Sequence, residues 1–243
     1  NNNIKAQKSI HHVISSDYLF YSWGRPFKLV TEVYYKDLKN LIPYKIDNVR
    51  IQYLPFEKSN GYATGLDFKI NGEFVNGVES WASLSIMKTA EDIVGDYIVN
   101  EDNIQSEVGF IPRPTDQRVN FSLFFQDYVP NNPNYKMHLN LKYGSGLPFG
   151  PPKSEKYEDI LRIPSYRRVD IGFSAGIKSS KKVSRFKFLN YFEEIWLSAE
   201  VFNLLDINNT VSYLWVSDIN GRQYAVPNYL TSRQLNARLI IKI

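Results

Sequence analysis

The stretch that decides the fold is QRVNFSLFFQDYVPNNPNYKMHLNLKY, residues 117–143. Apolar residues alternate with polar ones over 119–126, a run of Pro and Asn follows at 130–134, and the alternation resumes over 136–143. This pattern predicts two strands joined by a tight turn. Each strand runs about ten residues, close to the ~9 to 11 that cross a bilayer at a tilt and longer than the ~5 to 6 of a globular sheet. Alternation alone leaves a soluble sandwich and a membrane barrel both open.

The same alternation recurs along the chain and predicts about nine strands in one domain, residues 1–243. A turn that starts at Asn71-Gly72 and runs through Gly77 is expected between the third and fourth strands. The prolines are expected in turns, in long connections or at the first residue of a strand, because proline has no N–H to donate to a ladder. The strands are predicted at 6–19, 27–36, 63–70, 78–88, within the two halves of 117–143, and at 165–175, 195–201 and 233–243.

Composition excludes several classes of protein. Hydrophobic residues make up 43% of the chain, and no run approaches the ~18 apolar residues of a spanning helix, so a helical membrane protein is excluded. There is no cysteine, which excludes disulfide scaffolds and cysteine-based metal sites. The net charge of +4 is mild and dispersed, apart from a basic connector with Lys181, Lys182, Arg185 and Lys187, so no nucleic-acid partner is expected. Asn1–Asn3 do not begin an export signal, which leaves a protein that is not exported or a mature or partial chain.

The lengths of the connections favour the barrel. They are short after the first, third and fifth predicted strands and run to roughly 20 residues after the second, fourth, sixth and eighth, against a usual ~4 to 6. Short turns at one end and long loops at the other are typical of outer-membrane barrels. Aromatic residues also gather at the strand ends, as an interfacial girdle would require, although packing near turns explains them too. An open sheet of nine strands would leave unpaired edges in lipid, so we expect the chain to be the C-terminal part of a larger barrel.

Five segments resemble the C-terminal half of the barrel of TonB-dependent outer-membrane receptors, in particular those of Bacteroidetes-type bacteria. The most specific is the Asn-Leu-x-Asp element at 203–206, which closes the penultimate strand. The resemblance covers essentially the whole chain, but the family usually ends in an aromatic residue and this chain ends in Ile243. The matching segments are QKSIHHV (7–13), EVYYKDL (32–38), EVFNLLD (200–206), SYLW (212–215) and 230–243.

This resemblance implies a location in the outer membrane of a Gram-negative bacterium and a set of partners. Such receptors are 22-stranded barrels that import iron chelates, cobalamin, glycans or peptides with energy relayed by a TonB protein. The implied partners are the rest of the barrel and its plug domain, the TonB-type protein, outer-membrane lipid, and a surface lipoprotein lid or other envelope subunits. The long loops would be extracellular, and the short turns and the C-terminus periplasmic. Two alternatives stay open: a barrel scaffold that does not transport, and a soluble β-sandwich that binds glycans.

The candidate site is a polar wall, not a catalytic centre. Ser122, His138 and Asn120 share one predicted face, but that face should line the barrel interior and not meet lipid, so a phospholipase-like triad is not expected. His11 and His12 point to opposite faces and make a poor metal pair. We therefore expect no enzyme activity, no cofactor and no metal site. The candidates for contact with substrate or plug on the interior face are Lys136, Asn140, Lys142, Arg168, Asp170, Glu200 and Arg238.

Overall fold

The computed structural model describes residues 5–99, 103, 105–129, 132–151, 156, 160–178 and 187–243. No helix in these ranges is long and apolar enough to cross a membrane. The basic residues of the predicted connector at 181–185 lie outside the described residues. The strands are β1 (Lys8–Ser22), β2 (Arg25–Leu41), β3 (Tyr44–Asp47), β4 (Arg50–Tyr53), β5 (Ser59–Val75), β6 (Val78–Ile93), β7 (Tyr97–Val99), β8 (Gln105–Glu107), β9 (Phe110–Pro112), β10 (Val119–Val129), β11 (Asn132–Gly144), β12 (Pro148–Phe149), β13 (Leu161–Arg162), β14 (Tyr166–Lys178), β15 (Glu194–Phe202), β16 (Thr210–Ser217), β17 (Gln223–Tyr229) and β18 (Gln234–Lys242), with a short 3₁₀ helix at Lys187–Tyr191.

Nine of these strands form one antiparallel up-and-down sheet in the order β1-β2-β5-β6-β10-β11-β14-β15-β18. The short β9 pairs antiparallel with the last residues of β6. The prediction of an all-β chain with about nine long meandering strands is confirmed. Within the described residues β1 and β18 lie at opposite edges of the sheet and do not pair with each other.

The alternation of short and long connections is confirmed. Residues 23–24, 76–77 and 130–131 join strand pairs at one end of the sheet, whereas residues 42–58, 94–118, 145–165 and 203–233 join them at the other. Each long connection contains a hairpin of its own: β3–β4, β7–β8, β12–β13 and β16–β17. The sequence did not predict these hairpins, because their strands are too short for alternation to stand out.

The turn predicted from Asn71-Gly72 through Gly77 starts too early, although its end is correct. Asn71 and Gly72 lie inside β5, and the chain turns at Asn76-Gly77, where Gly77 has a φ of +73°. Gly72 serves a different purpose, because a Cβ there would lie 2.6 Å from Cδ1 of Phe27 on the neighbouring strand. The Phe27 side chain, 2% exposed, fills that space and packs against the ring of Phe74 at 5.0 Å between centroids. A glycine covered by an aromatic ring is therefore compatible with the strand interior.

Three strands run further toward the long connections than predicted. β2 ends at Leu41, β5 begins at Ser59 and β6 ends at Ile93, beyond the expected limits at 36, 63 and 88. The end of β6 is buried on both faces, since Thr89, Ala90 and Glu91 are buried in succession. Alternation disappears where both faces are buried, which is why the pattern stopped early on β6. On the extensions of β2 and β5, Lys39 and Asn60 remain exposed.

The expected positions of the prolines are wrong at two described residues. Pro26 and Pro133 are the second residues of β2 and β11, whereas Pro227 lies in a long connection as expected, although within its strand β17. The first two lie close to a strand end, and β17 belongs to a two-stranded hairpin that leaves one edge of each strand unpaired. At such positions a missing N–H costs no ladder hydrogen bond.

Candidate functional site

The strand register gives the sheet two chemically different faces. Residues opposite each other in an antiparallel pair lie on the same face. Leu141 lies opposite Leu123 on one side and Val169 on the other, and Leu84 lies opposite Phe121. Apolar residues thus form one continuous face: Ile14, Leu29, Val33, Leu66, Phe68, Ile70, Leu84, Ile86, Phe121, Leu123, Phe125, Leu139, Leu141, Val169, Ile171, Phe173, Leu197, Val201, Leu235 and Leu239.

No second sheet covers this apolar face in the parts of the chain that the structure describes. Ile14 is 79% exposed on β1 and Leu239 is 57% exposed on β18. Even on the inner strands β11 and β14, Met137 and Phe173 remain more than a third exposed. Contiguous apolar surface on this scale requires a non-aqueous neighbour.

The opposite face is polar and holds all the predicted wall residues. Asn140 lies opposite Asp170, and Lys142 lies opposite Arg168. Glu200 follows across Gly172, which itself pairs with His138. One face of β11, β14, β15 and β18 therefore holds Lys136, Asn140, Lys142, Arg168, Asp170, Glu200 and Arg238.

Glu200 is the centre of one cluster on this face. Its carboxylate accepts a hydrogen bond from the Asn236 side chain at 3.0 Å and lies 3.5 Å from Nη2 of Arg238 and 3.7 Å from Nε2 of His138. His138 reaches Glu200 from two strands away because the strand between them has Gly172. A Cβ at Gly172 would lie only 2.1 Å from the His138 ring, so the glycine makes room for the imidazole.

Asp170 forms a second cluster where β14 meets the last long connection. Its Oδ1 lies 2.6 Å from Nε of Arg168 and accepts the backbone N–H of Asn203 at 2.9 Å. The Arg168 guanidinium also lies over the ring of Phe202, 5.2 Å from its centroid. Asp170 and Arg168 thus fix the end of β15 as well as contributing charge to the wall.

Lys136 and Asn140 are placed differently from these clusters. The Lys136 ammonium lies over Trp196 and Tyr128, at 4.7 and 5.3 Å from the ring centroids, near the short-turn end. Asn140 Oδ1 is buried and has no hydrogen-bond partner among the described residues.

The possible triad residues are not side by side: in the β10–β11 register Ser122 lies opposite Lys142 and not opposite His138. No group of three metal-ligating side chains occurs within the described ranges.

The Asn-Leu-x-Asp element is a turn that fixes the chain as it leaves the sheet. Asn203 and Asp206 both have positive φ, of 52° and 56°, a conformation that Asn and Asp adopt more readily than other non-glycine residues. The Asn203 side chain accepts from the N–H of Ile207 at 3.1 Å and donates to its carbonyl at 3.0 Å. Asp206 Oδ1 accepts the N–H of Arg233 at 2.8 Å, which ties the two ends of the loop together. Backbone geometry therefore favours the Asn and the Asp at the two ends of the motif.

Asn209 extends β14 in the manner of a neighbouring strand. Its side-chain oxygen accepts the N–H of Arg167 and its side-chain nitrogen donates to the Arg167 carbonyl, both at 2.8 Å. One buried amide therefore satisfies both backbone groups of a residue just beyond the point where β15 stops pairing.

The long-loop end of the sheet is held together by buried carboxylates. Glu91, 0% exposed, accepts a hydrogen bond from the Ser59 hydroxyl at 2.9 Å, forms an ion pair with Lys156, and lies 3.6 Å from Nε of Arg113. These partners come from the first residue of β5 and from two different long connections. Burial lowers the pKa of Lys156, while the Glu91 carboxylate beside it favours the charged ammonium.

Asp116 is a second buried carboxylate, also 0% exposed. It accepts the N–H of Thr89 at 2.8 Å, lies 2.6 Å from Nε of Arg118, and forms an ion pair with Arg162 of the next long connection. Burial alone would raise its pKa, but the Thr89 N–H and the Arg162 and Arg118 guanidinium groups outweigh that effect. The pKa of Asp116 is consequently below its ordinary value of 3.8.

Further contacts join the loops into one layer. The rings of Phe149 and Tyr213 stack at 4.5 Å between centroids, and the Ser212 hydroxyl donates to Asn48 Oδ1 at 2.7 Å.

The sequence analysis did not identify Glu91, Asp116 and Lys156 as residues that hold the loops together. Glu91 lay beyond the expected end of β6, and Asp116 preceded the predicted hairpin.

Comparisons with known proteins identify the fold. No family model matches the chain, and no curated protein matches it significantly. Among solved structures, the chain is similar to the closed form of the ferric-catecholate import receptor Fiu of E. coli K12, with a TM-score of 0.61 and 14% sequence identity. The similarity covers 99% of this chain and 28% of the receptor, so the chain spans just over a quarter of its neighbour's length. The chain therefore has the fold of a portion of a TonB-dependent receptor barrel.

Proposed function

We propose that this chain is the C-terminal portion of a TonB-dependent outer-membrane transporter that imports a nutrient. The two-faced sheet carries the proposal: its apolar face meets lipid, its polar face lines the interior, and its long loops face the outside. The neighbouring receptor supports a transporter-like barrel, whereas the Bacteroidetes type rests on the sequence motifs alone.

In the complete protein, the β1 and β18 edges would pair with further strands. The backbone groups on those edges would otherwise be unsatisfied in lipid, at several kcal/mol per group. The rest of the barrel, a plug and a TonB-type protein are the expected partners, and a surface lipoprotein lid would sit over the long loops.

The seven wall residues would contact the plug or the passing substrate. Asn236 and Arg238 are exposed on β18, and both lie against the partly buried Glu200 carboxylate of β15. Lys142, also exposed, adds positive charge opposite Arg168. The Asp170 carboxylate already binds the backbone N–H of Asn203 and the Arg168 guanidinium. We therefore expect it to hold Arg168 in place and not to contact the substrate.

Energised uptake tests this function. Cells that carry the intact gene would be compared with a deletion strain for uptake of a radiolabelled ferric catecholate, cobalamin and an oligosaccharide, with and without a protonophore. We expect the deletion to abolish uptake of one nutrient class and the protonophore to have the same effect. A deletion strain with unchanged uptake but a disturbed envelope complex would support the non-transporting scaffold instead. A protein recovered in solution without detergent would support the glycan-binding sandwich.

A further inference from the structure

A small pocket opens on the polar face of the sheet, at the end where β14, β15 and β18 meet the last long connection. It has a volume of about 70 Å³, and all the residues that line it are described. This volume is several times the ~10–15 Å³ that one water needs and about half of the ~150 Å³ of an enclosed benzene site. The pocket therefore suits a terminal group of a few atoms and not a ring.

Arg168 is the charged group of the pocket, and its neighbours fix its orientation. The guanidinium carbon lies 5.2 Å from the centroid of the Phe202 ring, and Nε lies 2.6 Å from Asp170 Oδ1. The two Nη atoms carry the other four N–H donors of the group, and the Tyr166 hydroxyl beside them can accept at most two hydrogen bonds. At least two donors of one planar guanidinium thus remain for a ligand.

The end of the last long connection supplies further donors. Thr231, Ser232 and Gln234 line the pocket, and their exposed side chains make no hydrogen bond to other described residues. Each of the two hydroxyl groups can donate once, and the amide nitrogen can donate twice. A ligand with several acceptor oxygens would therefore meet donors from two sides of the pocket.

The other lining residues hold the walls in place. The side chains of Asn203 and Asn209 are bound through both of their polar atoms to backbone groups of Ile207 and Arg167. The Leu230 N–H donates to the Asn209 carbonyl at 2.8 Å and closes the base of the connection. Because no acidic residue lines the pocket, its free groups are chiefly donors.

The charge around the pocket is positive. Lys142 lies directly opposite Arg168, and no described carboxylate pairs with it. These two positive charges face one negative charge, that of Asp170. Like charges directly opposite each other destabilise a strand pair, so an anion beside Arg168 would relieve the repulsion. The other charged residues nearby form balanced pairs, Glu200 with Arg238 and Asp206 with Arg233.

From these features we infer that the pocket binds a carboxylate group at the end of a larger ligand. The planar fork of a guanidinium matches the two oxygens of a carboxylate, and the free hydroxyl and amide groups complete the contacts. One surplus positive charge compensates a single negative charge and not the two of a phosphate monoester. That the ligand is a nutrient rests on the proposed import function.

The test uses the intact protein in lipid nanodiscs with ¹³C-labelled threonine methyl groups. Thr231 lines the pocket, whereas Thr64 lies on the opposite face of the sheet, on β5, and serves as an internal control. Acetate, acetamide and methyl phosphate are titrated as the monoanion, its neutral counterpart and a dianion. We expect a saturable shift of the Thr231 methyl with acetate and none at Thr64. Acetamide and methyl phosphate should each bind at least about tenfold more weakly than acetate.

A matched pair of arginine variants checks the location. Arg168→Gln removes the fork and should weaken acetate binding at least about tenfold, as expected for a lost charge-assisted hydrogen bond. Arg233→Gln removes a guanidinium that does not line the pocket and should change the affinity less than about twofold. Ser232→Ala removes one exposed donor and should weaken binding by about two- to tenfold, which keeps the test decisive if Arg168→Gln does not assemble.

Several results would overturn the inference. One is the absence of a saturable shift at Thr231 in the unaltered protein, as would follow if a side chain of the plug fills the pocket. Others are acetamide or methyl phosphate binding as tightly as acetate, equal effects of Arg168→Gln and Arg233→Gln, and an unchanged affinity in Ser232→Ala. Energised uptake without acetate binding rejects the pocket alone, and acetate binding without uptake rejects the transport proposal alone.

Discussion

Every residue of β18 from Gln234 to Lys242 is exposed, whereas the Glu91 carboxylate at the loop end of β6 is fully buried. The sheet places its apolar side chains outward and has little core of its own. The loop layer buries carboxylates and satisfies them with cations from neighbouring connections. The contrast indicates that the sheet leaves an apolar face and two strand edges without partners among the described residues, where the proposed function places lipid and further strands, while the loop layer is stabilised from within.

The largest expected effect is at Glu91. Replacing Glu91 with Gln removes the nearest counter-charge of the buried Lys156 ammonium, at a cost of about 3–5 kcal/mol. The variant should unfold at a lower temperature, and trypsin should cleave the 145–165 connection faster. Glu79→Gln, on an exposed glutamate of the same strand, is the control.

A double variant distinguishes the ion pair from general damage. Glu91→Gln combined with Lys156→Met removes both charges, and most of the lost stability should return. Equal instability of the single and double variants would mean that the pair does not hold the loop layer.

The next effect concerns the faces of the sheet. Leu139→Arg and Phe121→Arg put a charge on the apolar face and should cost about 2–4 kcal/mol of assembly free energy near the bilayer centre. Asn140→Arg, one residue away on the polar face, should not. Heat-modifiability on gels after assembly into liposomes measures the difference, and equal tolerance at 139 and 140 would contradict the assignment of the faces.

A smaller loss is expected at Asn209. Asn209→Ala removes both hydrogen bonds to Arg167 and should cost about 1–3 kcal/mol, because two part-buried backbone groups lose their partners. Asn208→Ala, at an exposed neighbour, should have no effect. The exchange rate of the Arg167 amide reports the change directly: it should rise in the first variant alone.

The smallest change is expected from acidification. Because the pKa of Asp116 is lowered in the folded state, its contribution to stability is complete above its unfolded-state pKa of about 3.9 and is lost as the pH falls through the lower folded-state value. Hydrogen exchange in 111–118 and 160–163, corrected for intrinsic rates, should therefore accelerate below about pH 4. Asp116→Asn should have fast exchange at neutral pH and little further acceleration. Acceleration centred near neutral pH would point to a different group.

Sequence reasoning predicted the nine-stranded sheet well and the loop layer poorly, for a physical reason. The two faces of a strand such as β11 carry different side chains, apolar at Leu139 and polar at Asn140. The alternation in the sequence therefore shows which residues share a face of the sheet. Glu91 lies where both faces are buried, and nothing in the sequence distinguishes its carboxylate from a solvated one. The turn was predicted to start at Asn71-Gly72 because an Asn-Gly pair suits a turn. The sequence could not show that the Phe27 ring, which packs on this glycine, comes from the neighbouring strand.

Labelling along one strand tests the central claim most directly. The chain has no cysteine, so single cysteines can be placed at Leu139, Asn140, Leu141 and Lys142 of the intact protein in native membranes. A small charged thiol reagent in water should label positions 140 and 142, and fluorophores at 139 and 141 should be quenched by nitroxide-labelled lipid. Equal labelling by the aqueous reagent at all four positions, with no quenching by lipid, would contradict the assignment of one face to lipid and the other to a watery interior.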